Sequence, residues 1–248
     1  MSELIWIVGA STGIGNELTK QLLKEGHRII ASARHIEPLE ELRKDFSTHL
    51  IPLRLDVSDA EEVAKICQQL IDQGDLPDRI IMCAGIYFPV TATKVKEASV
   101  AKVMDVNFMG CVRITEHMLP HMQSRGTGHL VYVSSIAGYI GLPKALAYGP
   151  SKAALINFAE GLRIELANTD IKVQLVNPGF VKTPLTEQNT FKMPFLMEVE
   201  DAAGRMRQGM NSSQFEIKFP KRFTYMLRMI QMLPYALSLK LLSARTNR

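Results

Sequence analysis

Tyr148 and Lys152 stand four residues apart, and the stretch that follows places Ala154, Leu155, Phe158, Ala159, Leu162 and Leu166 on one apolar helical face. Four residues apart on a helix makes two side chains neighbours. A neighbouring ammonium favours the phenolate, lowering a tyrosine pKa that is ordinarily near ~10. Pro150 is tolerated in a first helical turn, so Tyr148 belongs at the helix N-terminal end, where the dipole stabilises developing negative charge. Such a tyrosine is a usable acid or base. Taken alone, the pair also describes an amphipathic surface tyrosine beside a solvated lysine, so the rest of the chain has to decide.

A second signature is the loop Gly9-Ala10-Ser11-Thr12-Gly13-Ile14-Gly15, which follows an apolar run and precedes a helical pattern through Lys24. Glycines at this spacing permit a tight turn and close backbone approach to a pyrophosphate, with the helix N-terminus supplying oriented N–H groups. Ser11, Thr12 and Ile14 are nucleotide-binding candidates with Gly9, Gly13 and Gly15; an ordinary strand-to-helix turn is the alternative. The next apolar run ends at Ala33-Arg34. An acidic residue there would accept from the ribose 2′-hydroxyl of NAD, whereas arginine suits a 2′-phosphate. NADP(H) is therefore expected in preference to NAD(H), with a solvated arginine as the alternative. Asp56, beside Val57, is placed to accept from an adenine amino group, to cap the helix beginning near Ser58, or both.

These side chains need a scaffold. Apolar runs rich in Ile and Val at 4–8, 28–33, 50–55, 79–83, 129–134 and 171–177 alternate with helical periodicity. Strands alternating with helices imply parallel pairing through right-handed crossovers, and strands this apolar need helices on both faces. Alternation at Phe215–Phe219, before Pro220, adds a seventh strand. The expected fold is a Rossmann-like, doubly wound α/β domain with a mostly parallel seven-stranded sheet, one domain over residues 1–248. Between about 183 and 214 periodicity fades while Met, Pro, Asn and Gly accumulate, which predicts a lid. Its Phe191, Met193, Phe195, Met197, Met206 and Met210 suggest an apolar substrate.

In order along residues 4–184, Gly9-x-x-x-Gly13-x-Gly15, Asn107, Ser134-Ser135, Tyr148-x-x-x-Lys152 and Asn177-Pro178-Gly179 resemble the short-chain dehydrogenase/reductase family. The resemblance implies a nicotinamide-dependent oxidoreductase that moves hydride between cofactor and a carbonyl or alcohol carbon of a small molecule. It implies that Tyr148 donates a proton to the carbonyl oxygen, Lys152 lowers the tyrosine pKa and binds the nicotinamide ribose, and Ser135 hydrogen-bonds the substrate oxygen. Asn107 would hold a water linking Lys152 to solvent, while Pro178, Gly179, Val181 and Thr183 would line the nicotinamide end. Dimer or tetramer assembly is also implied. Where the family usually has Asn-Asn-Ala-Gly, this chain has Met82-Cys83-Ala84-Gly85; Ala84 and Gly85 still permit close approach to the cofactor. The intact Tyr148, Lys152, Ser135 and Asn107 argue against a non-catalytic nucleotide-binding regulator or scaffold. A sugar epimerase would need an added substrate domain.

Other signals exclude more than they assign. Cys67, Cys83 and Cys111 form no C-x-x-C pair and read as reduced, and only Met1, Ser2 and Glu3 precede the first apolar run, so a cytoplasmic protein is expected. His117 and His121 are four apart with Pro120 between them and no H-E-x-x-H pattern; no metal is expected. Arg113 and Glu116 read as solvated. The net charge is +4, yet no acidic residue follows Glu216 while Lys218, Lys221, Arg222, Arg228, Lys240, Arg245 and Arg248 do; removing those seven leaves −3 on residues 1–217. The stretch from Phe223 to Leu233 has only Thr224, Arg228 and Gln231 as polar residues, so nearly all its surface must be buried. Packing against the substrate pocket or a second subunit is the first reading, and a peripheral membrane contact with basic residues facing anionic lipid is the second. Nucleic-acid binding lacks any accompanying recognition motif and is not expected.

Overall fold

A computed structural model describes residues 2–189 and 191–243. The seven strands form at β1 Leu4–Val8, β2 Arg28–Ala33, β3 Leu50–Arg54, β4 Arg79–Met82, β5 Gly128–Val133, β6 Ile171–Pro178 and β7 Glu216–Phe219. They make one sheet in the order β3-β2-β1-β4-β5-β6-β7. Every pairing is parallel, so the sheet is wholly rather than mostly parallel. Strand order reverses between β1 and β4, and at such a switch the loops leaving the carboxyl ends of neighbouring strands diverge and open a crevice.

Alternation along the buried strands assigns each sheet face its own core. On one face Ile5 and Ile7 of β1 pack with Leu18 and Leu22 of α1 (Gly13–Lys24). On the other, Trp6 and Val8 join Cys67 of α3 (Ala60–Asp72), Met118 of α5 (Gly110–Arg125) and Leu155 of α6 (Tyr148–Glu165). The short helices α2 (Glu37–Arg43) and α4 (Glu97–Met104) complete the crossovers. Between α4 and α5, residues Asp105–Met109 widen into a π-helical turn, a distortion that often marks a functional position. Cys67 and Cys111 are buried and Cys83 is half-buried; all three are free.

The expected lid is only half a lid. Residues Val199–Met210 form helix α7, with Ala202, Ala203, Met206 and Met210 buried against the α1 side of the sheet. Met206 and Met210 are therefore core residues and carry no information about substrate. Arg113 also departs from expectation. Its guanidinium donates to Asp105 Oδ1 at 2.6 Å and to the Val57 carbonyl at 3.0 Å, fixing the π-helical turn against the end of β3.

The C-terminal segment forms α8 (Lys221–Met232) and α9 (Tyr235–Ser243). Arg245 and Arg248, counted in the basic tail, lie outside the described residues. Among the described residues no helix is long and apolar enough to cross a membrane.

Candidate active site

The glycine loop is shaped by two close approaches that exclude side chains. Gly9 has φ +89°, and a Cβ there would stand 2.5 Å from the Ala84 backbone nitrogen, so β1 and the end of β4 pass too closely for any other residue. A Cβ on Gly15 would meet the Gly9 carbonyl oxygen at 2.2 Å. The start of α1 is thus pressed against the turn, and its free N–H groups face the crevice. Asn16 Nδ2 donates to the Ala10 carbonyl at 3.1 Å and holds the loop closed. A backbone cradle that only glycine can line, at a helix N-terminus, fits the diphosphate of a dinucleotide.

The ends of β2 and β3 supply the neighbouring wall. Arg34 is exposed and lines the crevice beside Asp56 and Val57. Burial alone would raise the Asp56 pKa, but hydrogen bonds from the Ser58 hydroxyl and amide, with the charges of Arg34 and Arg54, outweigh it and hold the carboxyl below its ordinary value. Asp56 does not cap the following helix: its Oδ1 accepts from Ser58 N–H at 2.9 Å, and Asp59 caps α3 by accepting from Glu62 N–H at 2.9 Å.

At the carboxyl ends of β5 and β6 the proton-transfer candidates converge. Ser135 begins a 3₁₀ turn, accepting from Ala137 N–H at 3.1 Å and donating to the Pro178 carbonyl at 3.4 Å, and its hydroxyl favours the ionised form of Tyr148. Tyr148 is the first residue of α6, and Lys152, one turn on, sends its ammonium to the Val133 carbonyl at 2.8 Å. Its Nζ lies 5.6 Å from the centre of the Tyr148 ring. Here the expected pKa direction is reversed. Burial dominates over the Ser135 hydrogen bond and pushes Tyr148 up to about 12, while burial lowers Lys152.

Every candidate site residue except Asn107 lines one cleft of about 850 Å³. Asn107 sits behind it in the π-helical turn, fully buried. Its Oδ1 accepts from Ile86 N–H at 2.7 Å, and its Nδ2 donates to the Ile86 carbonyl at 3.0 Å and to Ser151 Oγ at 3.1 Å. The side chain therefore positions the segment after β4 and the first turn of α6.

Sequence and structure comparisons identify the family. Residues 3–193 match the family described as short chain dehydrogenase. The chain belongs to that family. It is 36% identical over 231 residues to an uncharacterized oxidoreductase of Myxococcus xanthus, covering 92% of this chain and 91% of that one. It is 34% identical to a Drosophila melanogaster dehydrogenase/reductase SDR family protein 7-like, covering 74% of this chain but only 59% of that longer relative. The structure of ElxO with NADP bound superposes with a TM-score of 0.77 at 26% identity, over 88% of this chain and 98% of the other. This is an oxidoreductase with the family's Rossmann-like fold.

Within this short-chain dehydrogenase the departures from the usual motif are structural. Met82 is buried in the core, and Cys83 donates its N–H to the Val8 carbonyl at 2.8 Å. Burial pushes the Cys83 thiol up to about 12, which disfavours its thiolate. The roof of the cleft was not legible from motifs. Tyr87 stands edge-on to Tyr148, with ring centres 5.3 Å apart, and donates to Asn189 Oδ1 at 2.9 Å. Phe223 stacks between Phe180 and Phe195, at 5.7 Å from each. Leu227 and Leu242, from α8 and α9, also line the cleft. The one available signal was the apolar C-terminal stretch itself.

Proposed function

We propose that this chain reduces the carbonyl of an apolar ketone or aldehyde with NADPH. The observation that carries the reading is that Tyr148, one helical turn from Lys152, shares with Ser135 the cleft that the glycine loop opens. Bound NADPH supplies the hydride. Tyr148 gives its hydroxyl proton to the substrate oxygen as carbon is reduced, and the resulting phenolate recovers a proton from solvent. A phenol held up near 12 keeps that proton at neutral pH until the oxygen becomes basic. Ser135 donates to the same oxygen and stabilises its developing charge. Lys152 holds the nicotinamide ribose, and Asn107 keeps Ile86 and Ser151 in register with the site.

Arg34 at the end of β2, where the NAD-selecting acidic residue is missing, supports NADPH over NADH. The similar structure of ElxO, which holds NADP, supports the same choice. Ile86, Leu142, Phe180, Phe191 and Phe223 in the lining favour an apolar substrate. The family resemblance supports a homodimer or homotetramer, and three free cysteines suit the cytoplasm. The test is titration of the purified protein with NADPH and NADH, followed by a carbonyl panel read through loss of reduced-nicotinamide absorbance. NADPH binding at least about ten-fold tighter than NADH, with turnover, is expected. Binding without turnover on any carbonyl would return the chain to the regulator or scaffold reading.

A further inference from the structure

We propose that α8 and α9 dock this protein on the surface of an anionic lipid bilayer. Eight of the fifteen large exposed apolar side chains among the described residues fall between Tyr225 and Leu241. Of the others, Val95, Met109, Leu146 and Ile164 are scattered singly, as exposed apolar residues normally are, while Phe191, Phe195 and Leu196 fall together before α7. Met229 is 69% exposed, Met232 84% and Tyr235 81%. The inner faces of the same helices bury Phe223, Thr224 and Leu227 on α8, and Ser238 and Leu242 on α9.

The arrangement on α9 points to a fluid partner rather than a rigid one. At about 100° per residue, buried Ser238 and Leu242 form one narrow stripe, with Leu237 and Leu241 flanking it on one side and Leu239 on the other. Leu237, Leu239 and Leu241 are each more than half exposed. A rigid protein face covers one side of a helix; acyl chains cover both flanks. Lys240 stands opposite the buried stripe, where a phosphate headgroup accepts from its ammonium while the leucines beside it enter hydrocarbon. Helices of twelve and nine residues are about 18 and 14 Å long, too short to cross a core of about 30 Å, so they lie in the interface plane.

Charge selects the lipid. Arg228 and Lys218 are paired with Glu216, but among the described residues Lys221, Arg222 and Lys240 have no ion-pair partner, and no acidic side chain follows Glu216 in the given sequence. A twofold contact between copies sets a patch against itself, which here gathers positive charge with nothing in the segment to offset it. An anionic headgroup layer is complementary to it. Because Phe223, Leu227 and Leu242 face the cleft, a bilayer on the outer side of these helices lies about one helix diameter, roughly 10 Å, from the cleft wall.

Flotation of the full chain with vesicles of phosphatidylcholine alone, and of phosphatidylcholine mixed with phosphatidylglycerol, tests this without any assay of turnover. The chain should float with the mixed vesicles and at least about ten-fold less with the neutral ones. Replacing Leu237, Leu239 and Leu241 together by Glu should abolish flotation while thermal unfolding stays unchanged, since all three are exposed. Lys221→Gln with Lys240→Gln should weaken binding by about ten-fold or more and leave the apolar face intact. Absence of flotation with anionic vesicles would overturn the proposal. So would sedimentation showing a dimer that the leucine variant converts to monomer with no vesicle binding, which would give the face to a second copy.

Discussion

Asn107 grips the backbone of Ile86 from both sides, accepting from its N–H at 2.7 Å and donating to its carbonyl at 3.0 Å. A side-chain amide used this way replaces the strand partner that the chain loses where β4 ends. The same Nδ2 reaches Ser151 at 3.1 Å, so one buried side chain ties the cleft-lining segment after β4 to the helix carrying Tyr148 and Lys152.

Asn107→Leu should therefore act on stability as well as turnover. It leaves the Ile86 N–H and carbonyl buried without partners, at about 1–3 kcal/mol for each group. A drop of roughly 2–4 kcal/mol in urea unfolding is expected, with lower kcat. Asn107→Asp, which retains the acceptor for Ile86 N–H, should recover part of both. A loss of kcat with unchanged unfolding would mean that Asn107 acts directly on the reaction instead of positioning Ile86.

Gly9 and Gly26 separate backbone strain from close packing. Both have positive φ, +89° and +84°, but a Cβ at Gly9 would collide with Ala84 whereas nothing lies within 4 Å of one at Gly26. Gly26→Ala should cost about 1 kcal/mol for the left-handed conformation alone. Gly9→Ala should cost at least about 2 kcal/mol more, because backbone has to move. Equal losses in denaturant unfolding would show that β1 and β4 are not in contact at this point.

Glu216 predicts an acid limb in stability. Burial opposes its ionisation, but hydrogen bonds from Tyr139, Lys218 and Asn177, with the Arg228 charge, hold its pKa down from 4.5 to about 2. A depressed folded-state pKa stabilises the fold above the unfolded value and is lost as pH falls through the folded one. Between pH 4.5 and about 2 the protein should lose on the order of 1–2 kcal/mol through this group, allowing for its partial exposure. Glu216→Gln should flatten that part of the pH–stability profile; an unchanged profile would assign the acid limb to other carboxylates.

Much of the fold was legible because the strands are buried on both faces and so read as continuous apolar runs. Asp56 looked like a cap because it precedes Ser58, yet Asp59 stands at the true helix start. Helix α7 escaped notice although Ala202, Met206 and Met210 follow a four-residue repeat, because Arg, Gln and Gly between them resemble loop composition. Arg113 looked solvated because its partners, Asp105 and the Val57 carbonyl, come together only when the π-helical turn forms. The Tyr148 pKa direction differs for a related reason: spacing reveals a neighbouring lysine but not the burial that outweighs the groups favouring the phenolate. Of the C-terminal segment, sequence showed that a surface had to be covered; only the structure divides it into a face on the cleft and a face on solvent.

The most direct test of the central claim is the pair of measurements on Tyr148→Phe: NADPH affinity and kcat on a carbonyl substrate of the wild-type protein. The variant removes one hydroxyl from a half-buried ring, so NADPH binding should stay within about two-fold while kcat falls by about 10²–10⁴. Turnover within a few-fold of wild type at unchanged NADPH affinity would contradict the assignment of Tyr148 as the proton donor.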